Sequence, residues 1–183
     1  RLISDLLDLA RMQAVEFRLE NSTINLNEIV ESAVEAWRIT ADKAGINFEF
    51  TTLAADAAGD ASIEADVTRV RQMLDNLLEN AIKVVGPGGM VRLTLETRAR
   101  EFVVAVEDDG PGLADSDYEV AFEPAVLHNK YKHQRSGGSG LGLALVGTLA
   151  RRMGAAVTAG PSELGGAKFE LQFAKSTAEI SPN

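Results

Sequence analysis

Three clusters in this chain combine residue types and spacings that can do chemistry. Asn76, Asn80 and Lys83 lie at i, i+4 and i+7, on one face if the segment is helical. Amide oxygens suit a hard cation such as Mg2+, and a lysine ammonium can balance phosphate charge. A solvated polar helix face would have the same composition. Asp108-Asp109-Gly110-Pro111-Gly112 follows an apolar run. A carboxylate at a strand end can accept a hydrogen bond from an exocyclic amine, and glycines let a ligand ring approach the backbone. An ordinary tight turn is the alternative. Gly137-Gly138-Ser139-Gly140-Leu141-Gly142-Leu143 opens a third segment. Glycine-rich backbone leading into a helix start favours an anion such as phosphate. It lacks the Lys-Ser or Lys-Thr of a P-loop, and no strand precedes it as in a dinucleotide fingerprint. A flexible linker remains open.

A basic stretch leads into that third cluster. Residues 126 to 139 contain Lys130, Lys132 and Arg135 and no acid, in a chain whose net charge is -9. Such a loop can close as a lid over a phosphorylated small ligand, or be merely solvated. His128 and His133 in it read as exposed or lid-contacting side chains rather than metal ligands.

These clusters need elements to hold them. Arg1 to Leu19 carries two apolar seams, Ile3-Leu7-Ala10-Ala14-Phe17 and Leu2-Leu6-Leu9. That breadth fits a helical bundle, or a helix folded back on its own domain. Asn25 or Asn27 can cap a helix through Lys43, and Gly45 stops it. Ile46, Phe48 and Phe50 alternate as a strand, and Thr51 to Ala61 reads as a turn or hairpin region. Asp66 can cap a long helix through Val85, ended by Gly86-Pro87-Gly88-Gly89. Val91-Leu93-Leu95 and Phe102 to Val106 read as a hairpin pair of strands. Residues 113 to 139 read as irregular. Leu141 to Met153 reads as a helix, followed by strands at Ala155 to Ala159 and Lys168 to Phe173. The order predicts an α+β, two-layer sandwich, with helices on one face of a mixed, mainly antiparallel sheet.

Composition sets the outer limits. A chain of 183 residues with 45% apolar content makes one ordinary domain with an appendage. Zero Cys rules out a disulfide framework, and 2 His are too few for a polyhistidine metal site. The 18 basic against 27 acidic residues disfavour a nucleic-acid binder. No run is long enough to span a membrane, and direct membrane contact is not expected. The chain starts without Met and without a signal-peptide layout, and so reads as part of a longer protein.

Taken in order, the motifs resemble sensor histidine kinases. Asn76-Leu77-Leu78-Glu79-Asn80-Ala81-Ile82-Lys83 is similar to the N box, Asp108 to Leu113 to the first glycine box, Ala121-Phe122-Glu123-Pro124 to the F box, and Gly138 to Leu143 to the second glycine box. The resemblance divides the chain into 1–20, the end of a dimerisation and phosphotransfer hairpin; 24–175, a catalytic domain of Bergerat ATP-binding type; and a tail, 176–183. It implies ATP and Mg2+ as ligands. Asn80 would be the principal metal ligand with Asn76 nearby, and Lys83 would complete the catalytic set at the phosphates. Asp108 would receive the adenine amine, with Gly110 and Gly112 giving room. Phe122 would anchor the lid. Lys130, Lys132, Arg135, Gly138, Ser139, Gly140, Leu141 and Gly142 would shape its phosphate-facing part.

The resemblance further implies phosphoryl transfer to a histidine upstream of the fragment, which alone would not autophosphorylate, and thence to an aspartate of a response regulator receiver domain. A homodimer through the N-terminal helix and a cytoplasmic location would follow. The chain departs from the pattern at three places: Ala125 in the F box, Val84-Val85-Gly86 after the N box, and Ala167 in the last glycine-rich turn. They keep an alternative open, a kinase-like non-catalytic scaffold that binds a response regulator or partner kinase.

Overall fold

A computed structural model of the chain describes residues 18–54, 61–123, 126, 130 and 141–176. The predicted bundle helix at the N-terminus, most of the basic loop and the tail lie outside them. A short strand β1 (Ser22–Asn25) enters helix α1 (Leu26–Ala44). Of the two expected caps, Asn25 serves: its side chain accepts the Asn27 N–H at 3.0 Å. Gly45 ends α1 at φ 68°, a left-handed conformation in which its N–H reaches back to Asp42 O at 3.1 Å.

Strands β2 (Asn47–Ala54) and β3 (Ser62–Ala65) precede the long helix α2 (Val67–Val84). The region predicted as a turn or hairpin from Thr51 thus contains the end of β2, and β3 begins just after it. Asp66 caps α2 by accepting Thr68 N–H at 3.0 Å and Arg69 N–H at 3.1 Å. Its other oxygen accepts Glu20 N–H at 3.0 Å, so one buried carboxylate ties the entering chain to the helix start. Asp66→Ala is expected to lower unfolding free energy by about 1–2 kcal/mol, as cap losses do. Urea unfolding monitored by circular dichroism would measure it, and a change under a few tenths would contradict this role.

The hairpin β4 (Met90–Thr97) and β5 (Glu101–Asp108) follows, then a single turn α3 (Asp115–Tyr118) within the segment predicted as irregular. Helix α4 (Gly142–Met153) and strands β6 (Ala156–Pro161) and β7 (Ala167–Ala174) complete the described elements. Among them, β2-β4-β5-β7-β6 form one sheet, and β1 and β3 a separate antiparallel ribbon. Only the β2–β4 pairing in the five-stranded sheet is parallel. The fold is the predicted α+β class.

One face of the sheet carries Val91, Leu93, Val104, Val106, Phe169 and Leu171, packed in one core with α1, α2 and α4. The opposite face carries a row of charged residues. There Glu49, Arg92, Glu107 and Lys168 stand in register across β2, β4, β5 and β7, alternating in sign. Arg92 pairs with Glu49 at 3.2 Å, and a hydrogen bond to Glu170 raises the pKa of Lys168. The helical layer is cross-tied on its surface, where Asp75 Oδ1 accepts both Trp37 Nε1–H at 2.7 Å and Arg71 Nε–H at 2.9 Å.

Candidate functional site

The candidate site is built around the end of β5. Asp108 is the last residue of that strand and 1% exposed. Its Oδ1 accepts Gly110 N–H at 2.9 Å and Ala167 N–H at 3.3 Å, and its backbone oxygen accepts Gly166 N–H at 3.1 Å. Two separate turns therefore clamp one carboxylate. The clamp closes because both turns bring glycine to it. A Cβ on Gly166 would lie 2.2 Å from Asp108 Oδ1 and 2.6 Å from Gly110 N. A Cβ on Gly110 would lie 2.8 Å from Asp108 Oδ1 and 3.1 Å from Val84 Cγ2. Gly112 takes φ 63° and passes over Gly166 O and the Tyr118 hydroxyl. Gly110 and Gly112 thus lie in the turn that the sequence placed after the strand. Gly166 was not singled out; the signal was a Gly165-Gly166 doublet directly before an alternating strand.

Helix α2 forms the floor. Its core face, with Leu74, Leu77, Leu78 and Ala81 buried, fixes the rotation that brings Asn76, Asn80, Lys83 and Val84 to a common side. At one end Val84 touches the Gly110 turn. At the other, Asn76 meets the start of α4, where a Cβ on Gly142 would lie 3.0 Å from Asn76 Oδ1. Asn76 Nδ2 donates to Gln72 O at 2.8 Å, which turns the amide oxygen toward Gly142. At 1.5 Å per residue, the axial span from Asn76 to Val84 is roughly 12 Å, with Asn80 midway. Asn80 is partly buried. Lys83 is exposed and pairs with Glu79 at 2.7 Å.

No side chain caps α4, whose N-cap residue is Leu141. A helix start of that kind favours an anion. Phe122 packs on the core: its ring meets Phe169 edge-on at 6.0 Å, and its Cβ lies against Gly147 of α4. Lys130 forms a 2.6 Å ion pair with the buried Asp117 of α3. Lys132, Arg135, Gly138, Ser139 and Gly140 lie outside the described residues. The structure thus joins Asp108, Gly110 and Gly112 in one seat, and connects it through α2 with Asn76, Asn80, Leu141 and Gly142. Among the described residues no group of three or more His, Asp or Glu is placed to hold a metal ion. No described helix is long and apolar enough to cross a membrane.

Residues 65–177 match the family model of histidine kinase-, DNA gyrase B- and HSP90-like ATPases. The sensor-like histidine kinase SenX3 of Mycobacterium tuberculosis is 34% identical over 146 residues, 79% of this chain and 34% of that protein. Hybrid signal transduction histidine kinase D of Dictyostelium discoideum is 30% identical over 94% of this chain, which covers 11% of it. The chain therefore spans about a third of one of these relatives and about a tenth of the other. Full-length ShkA, solved in complex with AMPPNP, matches with a TM-score of 0.77 and 31% identity, over 97% of this chain and 36% of that one. Histidine kinase ThkA, solved with the response regulator protein TrrA, matches with a TM-score of 0.75 and 26% identity, over 96% and 46%. With the motifs in order and the same sandwich beneath them, this chain belongs to that ATPase family, as a Bergerat-type histidine kinase catalytic domain.

Proposed function

We propose that this domain binds ATP with Mg2+ and presents the γ-phosphoryl group to a histidine on a preceding bundle helix of the longer protein. From there the group would pass to an aspartate of a response regulator receiver domain, within a homodimer held by the bundle. The reading places the domain in the cytoplasm. The observation that carries it is the clamped Asp108: a strand-end carboxylate oriented by Gly110 and Ala167 N–H groups in a seat where glycines leave no room for Cβ atoms. A carboxylate held in this way can accept a hydrogen bond from the exocyclic amine of a flat base.

The rest of the cleft fits a triphosphate and a hard cation. Asn80 and Asn76 offer amide oxygens for the metal. Bound Mg2+ supplies charge neutralisation at the phosphate oxygens. Lys83 can exchange Glu79 for phosphate, since it is exposed and flexibly attached. The uncapped start of α4 orients N–H groups toward an anion. These residues bind and position; they hold no proton in transit. The relatives solved with AMPPNP and with a response regulator support the ligand and partner classes.

Calorimetric titration with ATP and GTP tests the reading. Asp108→Ala should weaken ATP binding at least tenfold and erase preference over GTP, which carries an oxygen where adenine carries its amine. Equal loss of both nucleotides would count against the assigned role. One observation favours the scaffold reading: Lys83 and Lys130 are each held by a carboxylate. Absence of any Mg-ATP binding by the folded chain would establish that reading instead.

A further inference from the structure

The base seat depends on a contact between two glycine turns that are far apart in the sequence. Gly166 must stay within hydrogen-bond reach of Asp108 for the carboxylate to keep its orientation. Two hydrogen bonds hold Gly166 from its other side. Ser162 N–H donates to Gly166 O at 3.0 Å within the β6–β7 turn. The second comes from outside that hairpin: the Tyr118 hydroxyl donates to Gly166 O at 3.4 Å while accepting Leu113 N–H at 3.2 Å. One hydroxyl, one donor and one acceptor function, thus bridges the two glycine turns that clamp Asp108.

The surroundings are shaped for this bridge. A Cβ on Gly112 would lie 3.3 Å from the Tyr118 hydroxyl and 3.2 Å from Gly166 O, so the backbone crosses the bridge at close range. The Tyr118 ring packs against the main core, which fixes where the hydroxyl lies. Its neighbour Asp117 is buried and holds Lys130, the described lysine of the basic segment. One helical turn, α3, therefore reaches both the base seat and that segment.

We propose that Tyr118 is a positioning residue for base recognition, acting through Gly166 on Asp108. This rests on the nucleotide reading above. Without the hydroxyl, the β6–β7 turn keeps its bonds to Asp108 but loses its tie to α3 and Leu113, and the Asp108 carboxylate is held less firmly in its direction toward an exocyclic amine. The phosphate end of the cleft, on α2 and α4, would be untouched.

The test is Tyr118→Phe in the full 183-residue chain. It removes one oxygen and keeps the ring that packs in the core. Two measurements are made: the ATP-to-GTP affinity ratio by calorimetry, and amide hydrogen exchange. The ratio is expected to fall roughly tenfold, the scale set by one lost polar contact in a discriminating site. Magnesium dependence of binding should stay as in wild type. Leu113 exchange should accelerate, with β4 and β5 amides still protected. A merely structural role would weaken both nucleotides alike and leave the ratio in place, and that result overturns the proposal with the nucleotide reading intact. Wild-type chain that binds neither nucleotide overturns the reading and this inference together.

Discussion

Gly166→Ala is expected to reduce ATP affinity about a hundredfold, which at 1.4 kcal/mol per tenfold corresponds to roughly 2.8 kcal/mol. The new methyl would sit 2.2 Å from Asp108 Oδ1, 2.4 Å from Asp108 O and 2.6 Å from Gly110 N. Rotating a side chain cannot relieve this, because two of the three atoms are backbone. The β6–β7 turn must withdraw from β5. Withdrawal breaks the Gly166 N–Asp108 O bond and the Ala167 N–Asp108 Oδ1 bond together. Overpacking of this kind costs about 1–3 kcal/mol of stability as well, so urea unfolding must accompany the titration. Gly160→Ala is the control: nothing lies within 4 Å of a Cβ there, and binding should not change. Gly165→Ala is a second control, strained by its φ of 107° but with open space around it. It should lose stability more than base discrimination. A Gly166→Ala chain that binds ATP as wild type does would remove the clamp from the account of the site.

The sequence made the elements with long apolar periods legible. Helices α1 and α2 lie within a residue or two of their predicted bounds because Asn25, Gly45 and Asp66 mark them chemically. Strands β4 and β5 follow from strict alternation and a continuous apolar run. The ribbon of β1 and β3 was not legible. Each strand has four residues, too few for a period, and each is made by pairing with the other about 40 residues away. The glycine motifs named the right turns but not their contact. Whether a glycine doublet is a flexible turn or a close approach depends on what lies opposite, and the partner of Gly166 is 58 residues earlier in the chain, at Asp108. Tyr118 was hidden for a similar reason. Its hydroxyl has no local signature, and its segment carries only one helical turn. The family resemblance supplied roles for Asn80 and Lys83 that spacing alone left open between a metal site and a solvated face.

Asn80→Ala is expected to abolish the magnesium-dependent part of ATP binding while leaving the fold intact. The site chosen makes that separation possible. Asn76 would be a poorer probe, since it is buried, bonded to Gln72 O and packed under Gly142, so truncation there disturbs the α2–α4 contact. Asn80 is one turn further along α2, partly buried, above the fully buried Leu77 and Ala81 that hold the helix in place. Alanine is also the better helix former by several tenths of a kcal/mol. Thermal stability should therefore hold or rise slightly, and lost binding cannot be blamed on unfolding. Titrations with and without Mg2+ should differ strongly in wild type and coincide in the variant, at the weaker affinity. If the variant kept the wild-type magnesium effect, the cation would be held by other groups, and Asn80 would revert to a polar residue on the cleft floor. Loss of the effect would instead tie the metal to the midpoint of α2. A cation there lies between the Asp108 seat and the start of α4, where the phosphates of a nucleotide seated by its base must pass.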